Sequence, residues 1–63
     1  MYAIRDIETR RIDQWGTEIE DMAVFDTMVE ATAFFQEYTD PENWEIVPIT
    51  YQEALNQIEE VFW

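Results

Sequence analysis

From Ile12 to Trp63 the chain carries 13 acidic side chains and not one Lys, Arg or His. This dictates the fold before any element is assigned. A buried carboxylate needs a partner of opposite charge, and the only bases, Arg5, Arg10 and Arg11, lie in the first 11 residues. Nearly every acid must therefore stay in water, and the core must come from the apolar residues alone. At 63 residues there is room for a single small domain, residues 1–63. A chain of this size buries only about 60% of its unfolded surface. No cysteine is present to add a disulfide, and no histidine to add the commonest zinc ligand. Disordered acidic chains are poor in aromatics; here aromatics make up 16% of residues, so a folded domain is expected.

The pattern of side chains gives the elements. Residues 2–8 are β-branched and aromatic and predict a strand. Residues 11–15 alternate and predict its hairpin partner, with a turn near Glu8-Thr9-Arg10. The three arginines are expected to pair across this hairpin with Asp6, Glu8 or Asp13. Residues 17–25 read as a longer loop, with Met22 to Phe25 a short strand extension. Thr27 and Glu30 match a capping box. They open a helix that presents Met28, Ala31, Phe34, Phe35 and Tyr38 on one face and stops at Thr39-Asp40 before Pro41. Residues 44–49 predict a third strand, in which Pro48 marks either an edge strand or the strand's end. Thr50 and Glu53 form a second capping box. The helix behind it buries Tyr51, Ala54, Leu55, Ile58, Val61 and Phe62 and wets Gln52, Glu53, Asn56, Glu59 and Glu60.

The order is β-β-α-β-α, an α+β domain. The connection rules give a three-stranded antiparallel sheet of order 2-1-3 with both helices on one face, leaving the other face to solvent or a partner. Phe34, Phe35, Tyr38, Tyr51, Phe62 and Trp44 are expected in the core. Trp15 and Trp63 are the candidates for an interface anchor or a homodimer contact.

The inventory excludes much chemistry. There is no Ser, Cys, His or Lys to act as or activate a nucleophile. A single glycine cannot build a phosphate loop. Paired carboxylates of the glycosidase kind would need a cleft that a chain this short has little room for. No enzyme activity, cofactor or metal is expected. Asp40, Glu42, Asn43 and Glu45 form an oxygen-rich turn, which ordinary helix-stop chemistry explains better than calcium ligation. A net charge of −12 repels nucleic acid and anionic membrane and attracts basic surfaces. No stretch approaches the ~20 apolar residues of a membrane span, and the N-terminus does not read as a signal peptide. A complete cytoplasmic product is expected.

Exposed helices ordinarily mix Glu with Lys and gain pairing at i,i+4. Here both helices use Glu alone. Duplex DNA carries one charge per ~1.7 Å of axis, and a compact domain studded with carboxylates offers comparable spacing. In size, charge and element order over its whole length, the chain resembles the small acidic phage-encoded inhibitors of bacterial defence, the anti-CRISPR and anti-restriction proteins of DNA-mimic type. The resemblance implies a partner in the infected bacterial cell: a basic, nucleic-acid-binding protein complex whose DNA or protospacer-adjacent site is blocked. The expected contact residues are Glu18, Glu20, Asp21, Glu30, Glu37, Asp40, Glu42 and Glu45. The N-terminal arginines depart from this pattern, because they put a positive end on the molecule. The alternative reading is an antitoxin-like interaction module that uses Trp15, Trp63 and an open sheet face.

Overall fold

The computed structural model describes residues 1–61, with side chains through residue 60. The expected class and strand order are present: a three-stranded antiparallel sheet, ordered β2-β1-β3, with two helices. Strand β1 is Tyr2–Asp6, β2 is Val24–Phe25, helix α1 is Met28–Phe35, β3 is Trp44–Pro48 and helix α2 is Tyr51–Val61. Short 3-10 turns occupy Ile19–Asp21 and Pro41–Asn43.

Strand β2 is the short extension at residues 24–25, not the segment 11–15. That segment turns back beside β1 but makes only the isolated bridges Arg5 to Ile12 and Gln14 to Met22. The edge of β1 is shared between two neighbours. Tyr2 and Ala3 pair with Phe25 and Val24. Further along, Asp13 N–H donates to the Ile4 carbonyl (3.0 Å), Ile4 N–H to Ala23 (3.0 Å) and Ala23 N–H to Asp13 (2.9 Å), closing a three-way junction. A turn at residues 7–9 precedes it, in which Asp6 Oδ1 accepts from the backbone of Glu8 and Thr9 at 2.8 and 2.9 Å. Arg10 completes the turn at φ 66°, a left-handed conformation that a non-glycine residue adopts at some cost.

Backbone hydrogen bonds at Arg11, Asp13 and Trp15 hold segment 11–15 to its neighbours, and a side chain completes the set. Gln57 of α2 is buried, and its amide serves Ile12 as a strand would. Ile12 N–H donates to Gln57 Oε1 and Gln57 Nε2 donates to the Ile12 carbonyl, each at 2.8 Å. The same Nε2 reaches Gln14 Oε1 at 3.0 Å, and Gln14 Nε2 donates to the Gly16 carbonyl at 2.7 Å. Gly16 is there because the chain passes tightly over Asp21, whose own Cβ would stand 2.7 Å from any Cβ at this position.

The helices lie on opposite faces of the sheet, not on one. Residues paired across an antiparallel ladder share a face, and neighbours along a strand alternate. Ala3 pairs with Val24 on one side and Val47 on the other, and the three pack in one cluster with Ala54 and Ile58 of α2, joined by Ile12, Met22 and Ile49. Their strand neighbours point the other way. Phe25 packs on Phe34 of α1, and Trp44 meets Tyr38 edge-on, with ring centroids 5.2 Å apart in both pairs. Among the described residues each face of the sheet carries a helix, so the open face of the alternative reading is not found there. With a helix on each side, the body is only 17 Å through its thinnest axis. Among the described residues, all but one of the fully buried side chains are accordingly small, Ala3, Ala23, Ala31 and Ala54, and the exception is Ile4. The large side chains expected in the core are pushed outward, so that Tyr51, Phe34 and Met28 are exposed. Phe35, Tyr38 and Trp44 are half-buried.

Both caps form as the sequence requires. Thr27 accepts from Glu30 N–H and Thr50 from Glu53 N–H, each at 3.2 Å. Helix α1 stops at Phe35, earlier than Pro41 alone would impose. Glu37 and Tyr38 donate back to Phe34 and Phe35 at 3.1 Å, tightening the last turn and aiming Tyr38 at the sheet. The Val61 side chain, Phe62 and Trp63, and with them the expectations placed on all three, lie outside the described residues.

Replacing Gln57 with Leu is expected to strand both Ile12 backbone groups in the core and cost about 2–4 kcal/mol in urea-induced unfolding. Gln57→Glu should recover part of this loss at acidic pH, because only the protonated carboxyl can donate to the Ile12 carbonyl.

Candidate functional site

The distribution of charge follows from the Gln57 contact. Once Ile12 is fixed to α2, the turn before it lies along that helix. The three arginines line one cleft with Glu53 and Glu60 of α2. Arg11 Nη1 pairs with Glu60 Oε2 at 3.3 Å. Arg5 lies on the α2 side of the sheet beside its ladder partner Glu45, and its Nη2 reaches the two carboxylate oxygens at 3.3 and 3.4 Å. Arginine pairing with Asp6, Glu8 or Asp13 across the first turn is therefore replaced by pairing with distant acids. Two of the three arginines are thereby paired, while Arg10 and Arg11 stay at the surface.

The eight acids singled out from the sequence divide into two groups. Four are engaged. Glu45 is half-buried against Arg5. Asp40 is half-buried and accepts from Trp44 Nε1 at 3.2 Å and Asn43 Nδ2 at 3.3 Å. Asp21 Oδ2 accepts from Glu18 N–H at 3.3 Å. Glu30 accepts from the Thr27 hydroxyl at 3.0 Å, although its carboxylate remains exposed. The other four, Glu18, Glu20, Glu37 and Glu42, are exposed. Among the described residues, the carboxylates of Glu20, Glu37 and Glu42 make no hydrogen bond, which leaves them available to a partner.

The eight do not form one patch. Glu18, Glu20 and Asp21 sit on the 3-10 turn that touches α2. Glu30 and Glu37 flank Phe25, Ala33 and Phe34 in a shallow depression on the α1 side. Asp40 and Glu42 face a cleft of about 430 Å³ that they share with Asp6 and Glu8. Asp6 and Glu8 were not among the expected contact residues. Their neighbours Arg10 and Arg11 made that turn read as basic, and only the path of the chain sends the arginines one way and these two acids the other. Among the described residues no three acids converge closely enough to hold a metal ion, and Glu45 is turned to the far face of the sheet from Trp44.

One further polar contact lies between the elements. The Tyr38 hydroxyl donates to Asp13 Oδ2, which ties the end of α1 to the segment held by Gln57. Burial raises the Tyr38 pKa well above its ordinary value of 10.0, and the hydrogen bond to Asp13 and the charges of Asp13 and Asp40 raise it further. Comparison with protein-family models, curated proteins and solved structures found no match.

The folded chain retains the Tyr38 proton where the unfolded chain releases it. The stability this group contributes is therefore intact below about pH 10 and is lost as pH rises beyond it. The urea midpoint should fall above that pH in the parent protein and fall less in Tyr38→Phe, which should be about 1–2 kcal/mol less stable at neutral pH.

Proposed function

We propose that the protein is an acidic mimic of nucleic-acid phosphate that occupies the Lys/Arg-lined DNA site of a protein complex. The observation that carries this reading is the segregation of charge. The arginines are gathered against α2, two of them in ion pairs, while Glu20, Glu37 and Glu42 stand free on a body of net charge −12. The longest axis is 31 Å, about 2.6 Å of length per net charge against about 1.7 Å in duplex DNA. A groove built for phosphate would be drawn to such a body, and the field would speed encounter at low salt. The resemblance to phage inhibitors of bacterial defence makes a CRISPR effector complex in the infected cell the target class to test first.

A second reading, an interaction module that works through an aromatic anchor instead of charge, is favoured by Trp15, which is exposed and stacked on Phe34. It requires binding that is insensitive to salt and is abolished by Trp15→Ala.

The deciding assay is a gel shift of a target duplex by purified guide-loaded effector complexes, run with increasing amounts of this protein. Mimicry requires that the two compete, that inhibition weakens as salt rises, and that joint replacement of Glu20, Glu37 and Glu42 by Gln lowers potency roughly tenfold. Inhibitor binding that saturating duplex leaves untouched would sink the reading.

A further inference from the structure

Helix α1 breaks the rule that the charge pattern otherwise obeys. Its eight residues, Met28–Phe35, hold a single charged side chain, Glu30. One stripe is used by the fold: Ala31 is buried and Phe35 half-buried. The remainder faces water, with Val29 79% exposed, Met28 48% and Phe34 37%. An exposed helix face is ordinarily polar, and this chain has acids in abundance to place there. The apolar strip also continues beyond the helix. The Trp15 ring, 55% exposed, stacks on Phe34 at 6.2 Å with an 18° interplanar angle. Glu30 and Glu37 wall the depression floored by Ala33 and Phe34.

A second depression, lined by Met28, Val29, Thr32, Ala33 and Gln36, adjoins that one, so Glu30 stands between the Val29 and Phe34 parts of the face. Apolar side chains with charge set among them are used at protein interfaces, where the apolar part supplies affinity and the charge supplies selectivity and encounter rate. Charge decides the occupant. A second copy would set Glu30 and Glu37 of one molecule against those of another, on two bodies of −12 each, and like charges brought together oppose association. We infer that the outer face of α1, from Met28 to Phe34 with Trp15 beside it, docks onto a protein surface that has an apolar floor and a rim of Lys and Arg. The inference rests on the acidic-mimic reading for the sign of the partner's charge. It adds that one face makes the contact and that charge alone does not hold it.

Two probes separate the contributions: a synthetic amphipathic helical peptide with one Leu face and one Lys face, and an oligolysine of equal charge. Backbone amide shifts of the isotope-labelled protein report where each binds. The peptide should perturb residues of α1 and the Trp15 indole, and should remain bound at salt concentrations that release oligolysine. Val29→Glu should weaken the peptide roughly tenfold. Because it adds a negative charge, it should leave oligolysine binding equal or tighter. Val29 is mostly exposed and Glu is a good helix former, and a thermal melt checks that the fold is kept. Equal peptide affinity for parent and variant overturns the inference, as do shifts confined to the Ile19–Asp21 turn or to α2. So does a dimer in sedimentation that Val29→Glu dissociates, which would give the face to a second copy. The gel shift keeps the two proposals apart. If Val29→Glu inhibits as potently as the parent, the α1 face is rejected and mimicry stands. If the parent never competes with duplex while the peptide still maps to α1, mimicry is rejected and the docking face stands.

Discussion

The side-chain amide of Gln57 gives Ile12 what a neighbouring strand would give it: an acceptor for its N–H and a donor for its carbonyl, both at 2.8 Å. Because Ile12 is buried, neither group has water to fall back on. This one contact fixes a segment that lacks a ladder of its own to a helix that begins 39 residues after it. Through Gln14 the same amide reaches Gly16, and through Asp13 the segment reaches Tyr38. The segment between β1 and the Ile19–Asp21 turn is thus ordered by side chains from α2 and from just beyond α1, together with its backbone hydrogen bonds to β1 and to residues 21–23.

The consequences are electrostatic as well as structural. Glu60 lies three residues after Gln57 on α2, so the helix that binds Ile12 also offers a carboxylate to the adjacent Arg11. Arg5 is satisfied across the sheet by Glu45. These pairs are partly or wholly exposed and contribute little to stability. Their importance is placement, because they gather the positive charge of the chain at one end. With Arg10 in the same cleft, the field elsewhere is set by carboxylates alone.

The two-sided covering of so small a sheet explains the composition of the core. Helices on both faces of a three-stranded sheet approach closely only over small side chains, and among the described residues alanines occupy four of the five fully buried positions. Aromatic rings fill the margins instead, running from Trp15 through Phe34 and Tyr38 to Trp44. That arrangement leaves α1 covered on one side only, with an apolar outer face next to acids.

The local features were legible in the sequence. The two capping boxes were, since each is a hydroxyl and a carboxylate three residues apart. The strand around Ile4, the third strand near Pro48 and the α+β class were legible too, because period is a local property; the 2-1-3 order was as expected, but with Val24–Phe25 in place of residues 11–15 as strand 2. The excess of acid over base was plain. Tertiary structure decided the rest. Alternation in residues 11–15 matched a strand, but the partner that claimed Ile12 was a glutamine 45 positions away, which no local pattern records. The face taken by each helix depended on which of Val24 and Phe25 pointed up, a choice made when two residues of β2 paired with Tyr2 and Ala3. Which acids stand free, and that Asp6 and Glu8 join Asp40 and Glu42, followed from the path of the backbone. Charge is additive along a sequence, whereas the geometry of a charged surface exists only after distant segments have been packed together.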